Sequence, residues 1–164
     1  MADRNINIVA ILGSVRPNNY TAMALNLALD ELKKHKGVKV ELFDPAIMHL
    51  YPPGLSGDSP DPVKMGEAVE NATGVILATP EYHGSFSSVM KLAIENLGFP
   101  SVMSGKPVAL MGVAAGAIGA IKSLESLRGV CSHIGAIVLP GPVSVANCRE
   151  MFNEYGTCNY PCSY

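Results

Sequence analysis

The chain has 164 residues, 48% of them hydrophobic and 16% charged, with a formal net charge of −2 at pH 7. These totals suit one globular domain that buries its own core, and they exclude a disordered chain. The small negative charge and the absence of a basic cluster exclude the electrostatic footprint of a nucleic-acid or anionic-membrane binder, and the apolar runs are strand-length rather than membrane-spanning.

The N-terminus enters its first strand without a signal-peptide apolar stretch, so a cytoplasmic setting is expected. The four cysteines, Cys131, Cys148, Cys158 and Cys162, form neither a C-x-x-C pair nor a zinc-ligand pattern and read as structural or incidental. No metal-ligand cluster and no Ser/His/Asp or Cys/His set is visible, so no catalytic side chain is assigned.

Strand one is predicted over about Asn7–Leu12. It ends at Gly13, and Ser14-Val15-Arg16-Pro17-Asn18-Asn19-Tyr20-Thr21 leads into a helix from about Tyr20 to Lys36, whose Ala22, Leu25, Ala28, Leu29 and Leu32 share one face. A strand, tight turn and helix start can present several backbone N–H groups to an anion, and Arg16 can bond a phosphate in bidentate fashion. An ordinary helix cap explains the same Ser, Asn and Thr residues, so the turn alone leaves both readings open.

Strand two is predicted at Lys39–Phe43, followed by a loop from Asp44 to Asp61 that either covers an active-site mouth or packs on the surface. Helix two spans about Pro62–Asn71. Strand three, Gly74–Ala78, is continuously apolar and therefore central; Thr79-Pro80-Glu81-Tyr82-His83-Gly84-Ser85 follows it, then helix three over about Ser87–Leu97. Strand four is Val108–Met111, ending in the glycine-rich turn Gly112 to Gly119, and helix four runs over about Ile118–Cys131. Strand five is Ile134–Leu139, closed by Pro140-Gly141-Pro142.

Strand alternating with helix predicts a doubly wound five-stranded parallel sheet in the order 2-1-3-4-5. Such sheets bind ligands outside the carboxyl ends of their strands, and the three unusual stretches all fall there. A phosphate-bearing planar ligand is the reading this convergence favours. Pro80 stiffens one loop, Tyr82 either flanks a ring or packs, and Gly84 and Gly116 allow close backbone approach. Glu81 reads more readily as a paired or solvated carboxylate than as an acid catalyst, and His83 is the one histidine within the three loops. The missing nucleophile favours a cofactor that brings its own chemistry.

Leu12-Gly13-Ser14-Val15-Arg16 with Asn19-Tyr20-Thr21, Thr79-Pro80-Glu81-Tyr82-His83-Gly84-Ser85 with Met90 to Glu95, Gly105-Lys106-Pro107-Val108, and Gly116-Ala117-Ile118-Gly119 with Leu127-Arg128 resemble the NADPH-dependent FMN reductase family, of flavodoxin-like fold. The resemblance covers about Asn5 to Pro142. It implies FMN as cofactor and NADPH or NADH as co-substrate. It implies an FMN phosphate held by Ser14, Arg16, Asn19, Tyr20 and Thr21. It implies a flavin ring lined by Pro80, Glu81, Tyr82, His83 and Gly84, and approached from the other side by Ala115, Gly116 and Gly119. The implied activity is hydride transfer from NAD(P)H to bound FMN, then to flavin, a quinone, an azo compound or an oxidised metal ion, with ping-pong kinetics. A homodimer or homotetramer is also implied. The alternatives are a flavodoxin-type electron carrier without NAD(P)H activity, which the absence of Trp, the presence of Arg16 and the weak acidity disfavour, and a flavin-free interaction domain.

The resemblance implies a flavodoxin-like FMN-binding domain over residues 1–142. Residues 143–164 read as an atypical C-terminal tail without amphipathic period, so the final helix of such folds is expected to be missing or altered. One face of the central strands would then be bare unless a partner subunit covers it.

Overall fold

The computed structural model describes residues 5–153 and 155–160, and the statements below concern these. Strand β1 (Ile6–Leu12) leads to helix α1 (Tyr20–Lys33), β2 (Val38–Phe43), α2 (Asp61–Glu70) and β3 (Gly74–Tyr82). A short β4 (Ser85–Phe86) precedes α3 (Ser88–Glu95), β5 (Pro107–Val113) and α4 (Ile121–His133). The described chain closes with β6 (Ile137–Val138), β7 (Val143–Val145) and α5 (Cys148–Met151).

The main sheet is parallel, in the order β2-β1-β3-β5-β6. This is the predicted order of five positions, with β5 as the fourth strand and β6 as the fifth. The strands number seven rather than five, for two local reasons. The stretch after Ala78 is not a loop: β3 continues to Tyr82 and turns back through His83 and Gly84, whose φ angles of 50° and 74° suit a two-residue hairpin of mirror-image type. The last strand is broken by Pro140-Gly141-Pro142, so β6 pairs with the start of β5 and β7 pairs with its end.

Alternation along β1 sorts its side chains to two faces. Val9 and Ile11 join Met65, Val69, Leu77, Met90, Leu97 and Leu127 under α2, α3 and α4. Ala10 and Leu12 join Leu25 and Leu29 of α1, together with Met111, Val113, Cys148 and Phe152. Leu25 and Leu29 are almost fully buried, each contributing about 1.5–3 kcal/mol of transfer free energy.

The face expected to be bare is covered. α5 is only four residues long, yet Cys148 and Phe152 are buried against α1 and the ends of β1 and β5, and Phe152 forms an isolated bridge with Cys158. The chain past residue 142 thus enters both sheet and core, through β7 and Phe152. No helix of the described residues is long and apolar enough to cross a membrane.

Candidate active site

The C-terminal ends of β1, β3 and β5 surround a cleft of about 430 Å³. Its position follows from a small network of backbone and side-chain hydrogen bonds. Gly13 sits where β1 runs against β3: its N–H donates to Ala78 O at 2.7 Å, and a Cβ on it would lie 2.9 Å from that oxygen. Ser87 caps α3 by accepting from Met90 N at 3.0 Å while its Oγ donates to Gly13 O. Ser87 N in turn donates to Thr79 Oγ1 at 3.1 Å, and that buried hydroxyl donates to Pro80 O at 3.0 Å. The network fixes the first loop against the upper end of β3.

The first loop is open to an anion. Asn19 caps α1, accepting from Ala22 N at 2.8 Å and donating to Arg16 O at 2.8 Å, which holds the turn in shape. From Ser14 to Thr21, no backbone N–H donates to another described residue. Ser14 is 2% exposed, and its Oγ is the one buried side-chain polar atom among the described residues without a hydrogen-bond partner. Orphaned buried hydroxyls are rare in folded chains and point to a missing polar partner. Arg16 is exposed and forms no ion pair with a described residue. A hydroxyl, free amides and a guanidinium at a helix N-terminus fit a phosphate monoester.

Ser14, Arg16, Asn19, Tyr20, Thr21, Pro80, Glu81, Tyr82 and Ala115 of the expected set line the cleft. His83, Gly84, Gly116 and Gly119 do not, and local structure accounts for three of them. His83 and Gly84 form the hairpin turn. Gly119 has a φ of 78°, and a Cβ there would run into Ser144 Oγ, which accepts from Ala120 N at 2.9 Å. The fourth, Gly116, accepts at its carbonyl from Asn147 N at 3.2 Å, and nothing would meet a Cβ on it. The loop from Asp44 to Asp61 does not line this cleft, although Asp44 and Ala46 border an adjoining hollow with Ser14, Arg16 and Asn19 of the first loop. It packs Met48 and Leu50 on the α2–α4 face, and Asn96 holds Tyr51 through both backbone groups.

Glu81 has a structural bond. Its carboxylate accepts from Ser123 N at 3.0 Å, in the first turn of α4, whose own N-cap, Ala120, offers no side chain. A carboxylate there satisfies an orphan donor and complements the helix dipole.

Six lining residues lay outside the expected set: Pro17, Asn18, Val113 and Ala114, which neighbour expected ones in the first loop and at the end of β5, and Cys148 and Arg149, which come from the segment after β7. Burial pushes the Cys148 thiol up from its ordinary range, with the Arg149 charge acting the other way, so the thiol stays protonated at neutral pH. No periodicity announced this segment; its one sequence signal was a cation close behind a strand. Among the described residues no group of acidic, His and Cys side chains is placed to hold a metal.

The sequence model of the NADPH-dependent FMN reductase family matches residues 6–150. A 2-hydroxy-1,4-benzoquinone reductase of Burkholderia sp is 28% identical over 141 residues, covering 84% of this chain and 76% of that protein. An FMN-dependent NADPH-azoreductase of Staphylococcus aureus is 29% identical over 154 residues, covering 90% and 80%. Among solved structures, the NAD(P)H:acceptor oxidoreductase FerB of Paracoccus denitrificans superposes with a TM-score of 0.78 at 22% identity, covering 94% of this chain and 87% of that one. With the family pattern spanning the strand ends that form the cleft, the chain belongs to the NADPH-dependent FMN reductase family.

Proposed function

We propose that the chain is an FMN-containing oxidoreductase that uses NAD(P)H to reduce a quinone or an azo compound. The observation that carries this reading is the orphaned Ser14 hydroxyl beside free loop amides and Arg16. These groups suit the FMN phosphate. Ser14 Oγ–H and the amides donate to its oxygens, and Arg16 matches its charge. Pro80, held by the Thr79–Ser87–Gly13 network, and Tyr82, two residues further along the same strand, give the flavin ring a rigid wall. Bound FMN supplies the hydride chemistry, which no side chain of the cleft provides. Tyr82 is 40% exposed, so this wall borders open solvent where a second flat molecule can arrive. The acceptor class is supported by the quinone and azo relatives.

The same reading includes a homodimer or homotetramer. An apolar groove of about 570 Å³ runs between α3 and α4, and Phe99 at its rim is 99% exposed. A cytoplasmic setting suits the free thiols of Cys131, Cys148 and Cys158.

The test is an anaerobic titration of the FMN-loaded protein with NADPH, read by flavin absorbance. The expected result is full bleaching at about one NADPH per flavin, since each carries two electrons. Flavin that binds but stays oxidised makes the protein an electron carrier instead. No flavin binding at all removes the reading.

A further inference from the structure

We propose that Arg149 is a second phosphate ligand of the cofactor site, and that Arg16 and Arg149 together make the cleft select FMN over unphosphorylated riboflavin. The inference rests on the FMN reading above.

Arg149 reaches the cleft from α5, beyond the last strand, rather than from the β1–α1 loop. Its backbone is fastened to the site. Ala114 N donates to Val145 O at 2.9 Å, Cys148 N donates to Ala114 O at 3.1 Å, and Asn147 N donates to Gly116 O at 3.2 Å. Phe152 brings the far end of the same segment against Tyr20, the first residue of α1, with ring centroids 6.3 Å apart. Asn147 turns the chain into α5 with a φ of 46°, and Asn18 in the first loop has a φ of 50°. Left-handed backbone at non-glycine residues costs energy and clusters at ligand sites.

Charge gives the reason for two cations. Arg16 and Arg149 both line the cleft, and neither guanidinium forms an ion pair or hydrogen bond with a described residue. The one lining carboxylate, Glu81, already accepts from Ser123 N. A phosphate monoester carries a charge of about −1.5 to −2 at pH 7, so one arginine leaves it under-neutralised and two match it. The orphaned hydroxyl of Ser14, 2% exposed in the same cleft, is the independent sign that an acceptor-rich group belongs there.

The experiment measures Kd for FMN and for riboflavin by flavin fluorescence quenching in the full-length apoprotein, comparing Arg149→Gln and Arg16→Gln with the parent. Lys36→Gln, an exposed change away from the cleft, controls for net charge. Arg149→Gln should weaken FMN about tenfold, as for a lost charge-assisted bond, and leave riboflavin unchanged. Inorganic phosphate should compete with FMN less well in this variant than in the parent. The double variant should lose more of the preference for FMN over riboflavin than either single variant, keeping only the part that Ser14 and the loop amides supply. Equal weakening of both flavins, or of neither, overturns the inference, as does a change confined to KM for NADPH. If Arg149→Gln does not fold, Arg149→Met carries the test: it keeps a long stem but removes the charge, and an FMN Kd equal to the parent's refutes the assignment. A parent that binds no flavin removes the FMN reading itself; a parent that binds FMN with an indifferent Arg149 removes only this inference.

Discussion

Replacing Ser14 by Ala should move two observables in opposite directions. In the flavin-free protein the Ser14 hydroxyl is buried, at 2% exposure, and unpartnered. A buried hydroxyl without a partner costs about 1–3 kcal/mol of desolvation, and Ala removes the oxygen while keeping the Cβ. The apoprotein should therefore hold or gain stability, by up to about 1 kcal/mol after lost packing is set against the relief. For a chain of this length each kcal/mol corresponds to about 2–4 °C in Tm. The FMN complex loses a hydrogen bond to a charged oxygen, about 1.5–3 kcal/mol, so Kd should rise about 10- to 150-fold. Two assays suffice: thermal unfolding with and without a fixed FMN excess, and a fluorescence titration. The apo Tm should stay or rise, while the FMN-induced shift shrinks as the logarithm of the affinity loss. An apoprotein that melts lower with unchanged FMN affinity would refute the reasoning, because Ser14 would then serve the fold alone.

Arg16→Ala should cost FMN about 1.5–3 kcal/mol of affinity with little change in apo Tm, since Arg16 is exposed; calorimetry of FMN binding decides it. Glu81→Ala should lower apo Tm by roughly 2–4 °C, because Ser123 N loses the cap of α4, worth about 1 kcal/mol. Phe152→Ala should destabilise by about 3 kcal/mol and weaken FMN as well, because the Phe152–Tyr20 contact holds α5 beside α1; denaturant unfolding reads the first effect and titration the second. Burial pushes the Cys131 thiol up to about 11. In the unfolded chain it ionises lower, so at alkaline pH the unfolded state binds fewer protons. The neutral-thiol contribution is intact below about pH 9 and is lost as pH rises towards about 11. Urea midpoints across that window should fall more steeply for the parent than for Cys131→Ala.

Most of the sheet was legible because its signals are local. The continuous apolar run of β3 marked the central strand, and the glycine at the end of β1 marked the turn, where a Cβ would meet Ala78 O and Met90. Asn19 read ambiguously as a cap or a phosphate ligand, and the structure shows it capping α1. The hairpin after β3 was hidden because His83 adopts a positive φ that its side chain does not advertise. The role of Glu81 depends on Ser123, 42 positions away, a pairing that periodicity cannot show. Arg149 was invisible for the same kind of reason: β7 places α5 beside the cleft by pairing with β5, and no helical period prepares that.

The interrupted outer strand guards the sheet against edge-to-edge aggregation. β6 and β7 expose Ile137, Val143 and the adjoining Leu139, by 57%, 50% and 44%, along a sheet margin. An unbroken apolar margin of this kind is a template for pairing with another chain and so for aggregation. Pro140 and Pro142 withhold the N–H groups such pairing needs, and the offset between β6 and β7 denies a neighbour a straight edge. The sheet is thereby kept from extending, strand by strand, into an adjacent molecule.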